Sequence, residues 1–417
     1  MNALVWRTWK VKIARELRVR GSAVIDAVLY ALHVPPSIPA TAKVDNALFY
    51  VAELLMARAG RMAKWVTRQS GRKVVLFCHR EGYIPEFAGE GFAAVLLYRN
   101  AWHLRRLLRT MPTPWIVHGF APKSHYPDVA RRALPNVPYI HDLQDTLVVY
   151  YGTTPTKRWL RAELPHERAC MAEADGVIAH SLEPAEGFRR YGIPHRTRPR
   201  TLFFPLYCDD DRFVTMPKIS ATETHLVYAG GVAGSHRDPR YFGNIQFFGL
   251  IETLTKQDLH LHIYPSPTTL AADRTEYEAL AKTNLRFHYH EPVGQEKLAE
   301  ELGRYHFGFH LGFVNDGDHQ QSTAKYRLCT TLKLFNFLEA GIQVISSVNL
   351  DFQAWMITRH HAGIAIERED IALLAERLRV LNNASDPWNV ERARVRLSLK
   401  ENTRRLIAFY EAVHSGK

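Results

Sequence analysis

His225-Leu226-Val227-Tyr228-Ala229-Gly230-Gly231-Val232-Ala233-Gly234 is an apolar run that breaks off into glycines. It reads as a strand entering a tight turn, with a helix expected over Pro239–Leu254. Glycines at such a turn let backbone N–H groups approach a phosphate, and the partial positive charge of a helix start assists. Arg237 and Arg240 follow closely. Working outward, further strands are expected at Leu259–Ile263, Leu285–His288, His306–Leu311, Gln343–Ser346 and Gly363–Ile366, with helical stretches between them. The same alternation runs upstream through Val74–Cys78, Ala93–Tyr98, Trp115–Val117, Val137–Ile140 and Gly176–Ala179. Strands alternating with helices predict parallel sheets covered on both faces. A Pro-, Asp- and Thr-rich stretch over 196–218 separates the two runs. The fold class expected is therefore α/β, with two doubly wound Rossmann-like domains facing a cleft. Their expected bounds are 74–205 and 206–388. A C-terminal helix over 389–417 is expected to pack back toward the first domain, and a basic helical extension occupies 1–73.

Composition excludes several classes. The 417 residues are 46% hydrophobic and 23% charged, which rules out disorder and low complexity. No stretch approaches the roughly 20 apolar residues of a spanning helix. The longest, Ala23 to Val34, contains Asp26 and His33. Charges recur from Trp6 to Arg20, where a signal peptide would be apolar. Cys78, Cys170, Cys208 and Cys329 show no paired spacing, so a reducing cytoplasm is expected.

The net charge of +12 is concentrated: residues 1–73 hold thirteen Lys and Arg against four acids, leaving the remainder nearly balanced. Trp6, Trp9, Ile13 and Leu17 form a helical stripe, with Arg7, Lys12, Arg15 and Arg18 mostly off it. This pattern fits an interfacial helix, and residues 1–43 are expected to meet an anionic membrane surface. The competing reading packs the stripe on the protein's own body. A second helical stretch is expected from Val44 to Arg68. No nucleic-acid partner is expected, because the segment lacks an aromatic-and-basic sheet pattern.

Ligands of open α/β sheets bind beyond the carboxyl ends of the strands. In the first domain those ends read Cys78-His79-Arg80-Glu81, Val117-His118-Gly119, Ile140-His141-Asp142 and Ala179-His180-Ser181. Four histidines on one edge predict a polar reaction cleft. His118, followed by Gly119, is the expected catalytic contact, with His141, Asp142 and Asp145 as alternatives. In the second domain, Thr330 and Thr331 precede a helix with Lys333 in its first turn, where a cation is unfavourable unless an anion is bound. Asn336 and Glu339 follow on the same face. The expected donor-binding set is Gly230, Gly231, Gly234, Arg237, Thr330, Thr331, Lys333, Asn336 and Glu339. Asp209-Asp210-Asp211 reads as an acidic linker turn rather than a metal motif. His288, His290, His306 and His310 lack the ligand pattern of a zinc site.

Over about residues 74–413 the sequence resembles the GT-B glycosyltransferases, most closely glycosyltransferase family 4. The resemblance rests on Trp115-Ile116-Val117-His118-Gly119, Val137-Pro138-Tyr139-Ile140-His141-Asp142, Glu173 to Ser181, Val227 to Gly231 and Phe337-Leu338-Glu339-Ala340-Gly341. It implies a hexosyltransferase-like enzyme that moves a sugar from a nucleotide-sugar donor to a hydroxyl of a glycan or lipid-linked acceptor. It also implies no metal or other cofactor, because helix dipoles and a basic side chain neutralise the leaving diphosphate. Family 4 has two glutamates with seven residues between them, the second five before the glycine. Counting back from Gly341 places Asn336 and Leu328 there. Glu339, one turn on, is the substitute carboxylate, and Gln343 replaces the usual proline. These departures leave the donor and the stereochemistry open. An epimerase of the same fold and a degenerate membrane-bound scaffold are the alternatives.

Overall fold

The computed structural model describes residues 20–89, 91–312, 322–383 and 390–416. The first sheet contains β1 (Leu48–Ala52), β2 (Val74–His79), β3 (Ala94–Tyr98), β4 (Ile116–Phe120), β5 (Tyr139–Leu143), β6 (Gly176–Ala179) and β7 (Arg200–Phe203). Its spatial order is β3-β2-β1-β4-β5-β6-β7, and every pairing is parallel. The second contains β8 (Thr224–Gly230), β9 (Leu259–Pro265), β10 (Phe287–Tyr289), β11 (Phe307–His310), β12 (Gln343–Ser347) and β13 (Gly363–Ile366). It is also wholly parallel, in the order β10-β9-β8-β11-β12-β13. Helices cover both faces of each sheet, the arrangement that a buried parallel sheet requires.

Two expectations need correction. Residues 44–68 do not form one helix: Leu48–Ala52 is a strand at the centre of the first sheet, and the helix starts at Ala57. Every residue of β1 is buried, so both faces are apolar and no alternation betrays the strand. The basic extension therefore gives way to the first domain well before residue 73. In addition, Arg200–Phe203, inside the expected linker, pairs with β6 as an edge strand. Its polar residues Arg200 and Thr201 are exposed.

The helix Ala57–Ser70 joins the two domains. Arg58 Nε lies 3.0 Å from Asp142 Oδ2 on β5, and its other nitrogens donate to the carbonyls of Phe204 and Pro205 at 2.7 Å. One turn on, Arg61 forks onto Glu339 of the helix Leu332–Glu339. Lys64 and the Trp65 indole both donate to Asp209 in the connecting segment. The helix Leu399–His414 packs on Ala57–Ser70 and returns the chain to the first domain. Its Tyr410 hydroxyl sits 3.0 Å from that of Tyr50 and 2.8 Å from His118 Nδ1.

The carboxyl-terminal edges of the two sheets confront each other. Segments that follow β5 and β6 meet the segment that follows β11: Leu182 N donates to Leu328 O at 3.1 Å, Ser322 N to Tyr150 O at 3.2 Å, and Arg190 to Ser322 Oγ at 3.1 Å. The apolar stripe expected over Trp6–Leu17, with the basic residues around it, lies outside the described residues. Residues 20–31 are helical, and Asp26, fully buried there, receives Arg99 and Arg106 at 2.7 Å and Asn100 at 2.9 Å. Among the described residues no helix is long and apolar enough to cross a membrane.

Candidate active site

Strand order reverses between β1 and β4 and again between β8 and β11, so each domain has a switch point where a crevice opens. In the second domain Gly230 ends β8, His310 ends β11, and the helix Leu332–Glu339 begins beside them. Thr331 caps that helix, its Oγ1 accepting from Lys333 N at 3.4 Å. Gly230 holds φ +153°, and a Cβ there would run into the Lys333 side chain. Only glycine lets this lysine cross the strand end. Lys333 Nζ lies 5.6 Å from the centre of the Tyr228 ring. Burial pushes its ammonium down to about 8, with Lys325 pushing the same way. His310 Nδ1 is 3.0 Å from Gln353 Oε1, and burial followed by Lys333 lowers the imidazole to about 3, so this ring is neutral at ordinary pH. The hydroxyls of Thr330 and Ser346 are buried without a hydrogen-bond partner. A cation, a capped helix start and two unspent hydroxyls converge, as an anionic ligand requires.

The facing wall comes from the first domain. The Tyr150 hydroxyl lies 2.5 Å from Asp145 Oδ1 and 2.9 Å from Glu183 Oε1, while Thr146 N donates to Glu183 Oε2 at 3.0 Å. Burial, followed by the charge of Asp145, raises the Glu183 carboxyl well above the ordinary range. Asp145 is partly exposed and sits in the loop after β5. Lys325, from the helix Thr323–Leu328, places its Nζ 4.5 Å from the centre of the Tyr150 ring. Lys325 of one domain thus stands near the Tyr150–Glu183 pair of the other, where the buried Glu183 is protonated more readily than usual.

No protein-family model and no curated protein matches this sequence. Solved structures do. Anabaena HepE, crystallised with UDP and glucose, superposes with a TM-score of 0.60 at 11% identity, over 88% of this chain and 99% of its own. AviGT4, a glycosyltransferase of avilamycin A biosynthesis, gives 0.56 at 15% identity, over 89% and 99%. A UDP-N-acetylglucosamine 2-epimerase assignment from Listeria monocytogenes gives 0.51 at 12%, over 90% and 98%. The chain has the GT-B fold.

Within this GT-B chain, the expected site residues separate into three groups. Gly230, Gly231, Thr330, Thr331 and Lys333 come together at the second switch point. Gly234 and Arg237 instead turn to the helix Ala271–Thr283: Gly234 N donates to Asp273 at 2.9 Å, and Arg237 Nε lies 3.2 Å from the same carboxylate. Asn336 is buried in mid-helix, and Glu339, at the far end, is held by Arg61 and by Asp209 N at 2.8 Å. Glu339 is thus a domain-joining carboxylate rather than a ribose contact. The linker acids are engaged as well, Asp209 and Asp211 by Lys64, and Asp210 by Lys400 N.

The histidine edge also needs correction. β4 and β5 run on to Phe120 and Leu143, which leaves His118, His141 and Asp142 inside the strands and fully buried. Register puts His118 beside Ile140 and His141 beside Gly119, so the two histidines face opposite sides of the sheet. His118 stacks on Phe120 at 4.2 Å, and burial lowers its basicity. Its Nε2 is 3.5 Å from Asp142 Oδ2, too far for a hydrogen bond of normal strength. Burial alone would raise Asp142, but Arg58 and then His118 hold it below the usual carboxylate range. His141 lies between Tyr139 and Ser124, and burial pushes it down to about 3. His79 ends β2 and His180 directly follows β6; His79 stacks on Tyr126 and His180 bonds to Leu143 O. Sequence reading missed Lys325, Tyr150 and Glu183. The run of polar residues Gln144-Asp145-Thr146 after an apolar strand was the available signal.

Proposed function

We propose that the protein transfers a glycosyl group from a nucleotide-sugar donor to an acceptor hydroxyl. The observation that carries this reading is Lys333, half-buried at the second switch point against Gly230 and beside the start of its own helix. In this reading Lys333, the Thr331-capped helix start and the Gly231 backbone bind the diphosphate, with Lys325 nearby. As the bond from the anomeric carbon to the leaving oxygen breaks, negative charge gathers on the diphosphate, and fixed cations favour that state over the ground state. These groups, rather than a metal ion, meet the charge. Asp145 receives the proton of the attacking hydroxyl, since it is partly exposed and its environment includes a hydrogen-bond donor that orients it. HepE, crystallised with UDP and glucose, and the glycosyltransferase AviGT4 support a donor of this class.

The acceptor is proposed to be a glycan or lipid-linked precursor on an anionic membrane surface at the cytoplasmic side. Val24, Ile25, Val28 and Leu32 are each more than half exposed on one side of the helix at 20–31, while Asp26 fastens the opposite side to the body. Titrating UDP-, GDP-, ADP- and CMP-sugars and following nucleotide release tests the reading. Binding to none of them would sink it. Binding with epimerised sugar and no acceptor requirement would instead favour epimerase chemistry, as named for the Listeria monocytogenes neighbour.

A further inference from the structure

The second sheet carries a histidine cluster on the edge away from the cleft. His225 on β8 is the register partner of His260 on β9, and His262 on β9 is the partner of His288 on β10. With His290 two residues on, all five share one face of the sheet. Glu223 immediately precedes β8, with His225 near the start of β8 and His260 near the start of β9. This places the group at the amino ends of the strands, whereas Gly230 and His310 mark the carboxyl ends.

The hydrogen bonds within the cluster have a direction. His225 Nδ1 is 2.9 Å from His262 Nε2, and His262 Nδ1 is 2.9 Å from His290 Nε2. In parallel, His260 Nδ1 is 3.1 Å from His288 Nε2. Every link joins the Nδ1 of one ring to the Nε2 of the next. A single tautomer, with hydrogen on Nδ1, therefore satisfies all of them. It leaves bare lone pairs at the two heads, His225 Nε2 and His260 Nε2, and both point toward Glu223. His225 Nε2 is buried and has no hydrogen-bond partner. The carboxylate oxygens of Glu223 stand 3.5 Å from His225 Nε2 and 3.6 Å from His260 Nε2.

Those separations discriminate between two occupants. They are too long for an N–H donating to a carboxylate. Each, one to Oε2 and one to Oε1, is close to the about 3.4 Å edge of a tetrahedron around a zinc ion with bonds of about 2.0–2.1 Å. The three ligand atoms lie within 4.8 Å of one another. A ligating histidine ordinarily donates its other ring N–H to a second group, and here each does so to a further imidazole.

We propose that Glu223, His225 and His260 bind a zinc ion, with water in the fourth position and His262 and His288 orienting the ligands. Two imidazoles and one carboxylate suit zinc over magnesium or calcium, which prefer oxygen. Glu223 is 56% exposed, so the ion reaches the site without unfolding. Bound there, it ties the end of the interdomain connection to β9 and stabilises the second domain without touching the donor crevice.

The test uses the full chain, stripped with chelator and dialysed against zinc. The proposal expects one zinc per chain, a higher melting temperature with zinc, and no such effect from magnesium or calcium. Cobalt(II) substituted for zinc should give the intense visible bands of a tetrahedral site. Because loss of an orienting partner alone costs roughly 10–100-fold in affinity, the Glu223→Gln/His260→Gln double variant should lose at least about 100-fold. Both side chains are at the surface edge, and unchanged nucleotide binding or circular dichroism verifies that the variant is folded. Sub-stoichiometric zinc on the wild-type chain, an octahedral cobalt spectrum, or undiminished binding by the double variant would each overturn the assignment.

Discussion

Arg61 Nη1 lies 2.7 Å from Glu339 Oε1, and this buried pair joins a helix of the first domain to a helix of the second. Removing one member leaves the other charged and unpaired in the interior, at a cost of about 3–5 kcal/mol. Arg61→Met should therefore lose that much in denaturant unfolding, and Arg61→Met/Glu339→Leu should recover most of it. Burial already raises Glu339 against the pull of Arg61. Without Arg61 the folded chain holds this proton more tightly still. The loss should accordingly be smallest near the unfolded carboxyl's own range and grow as pH rises toward the folded value.

Nucleotide binding should depend on Lys333. Its charge-assisted contact is worth about 1.5–3 kcal/mol, so Lys333→Ala should weaken nucleoside diphosphate binding by about tenfold or more. With the ammonium pushed down to about 8, wild-type affinity should be level below that pH. Above it, affinity should fall by about tenfold per unit, since the neutral amine must regain a proton to hold the anion. Calorimetric titration between pH 7 and pH 9 checks both, and the alanine variant should show no such fall.

Asp145 and His118 should behave oppositely. Asp145→Asn should lower kcat by about 10²–10⁴-fold while nucleotide affinity is kept. His118→Ala opens a cavity among Tyr50, Phe120 and Tyr410, and a buried truncation of this size costs about 2–5 kcal/mol. Its turnover per folded molecule should be unchanged. Full turnover in Asp145→Asn would remove Asp145 from the reaction.

Vesicle co-sedimentation examines the membrane reading. Each Lys or Arg near an anionic surface contributes about 1 kcal/mol, screened by salt. Full-length protein should pellet with anionic but not neutral vesicles, less so at high salt. Val28→Asp and Leu32→Asp, both at exposed positions, should weaken it further. Protein that stays in the supernatant at low salt contradicts the proposal.

Most of the fold was legible because strand and helix periods differ and the parallel strands are short apolar runs bounded by turns. What escaped is physically specific. β1 carries Phe49 and Val51 into one core and Leu48 and Tyr50 into the other, so it shows no polar face. β7 is four residues long and half exposed. Gly230 and Lys333 were expected together from a glycine turn and a misplaced cation, both local signals, and they do lie in contact. His118 and Asp142 were expected at a strand edge but lie inside, because strand ends are the least certain boundaries and each strand runs three residues further. Glu339 misled because its partner, Arg61, is 278 positions away.

Tyr410 and His118 are 292 positions apart, yet they share a hydrogen bond inside the first domain. During synthesis, β1 to β7 leave the ribosome long before the helix Leu399–His414 exists. The hydroxyl pair of Tyr50 and Tyr410 cannot form until then, and the sheet face bearing His118 stays without its cover. The first domain is thus an early body with a late keystone. Expressed without that helix, it would present Tyr50 and Trp115 to solvent and invite capture by chaperones, whereas the same helix supplied as a separate polypeptide would find a preformed groove.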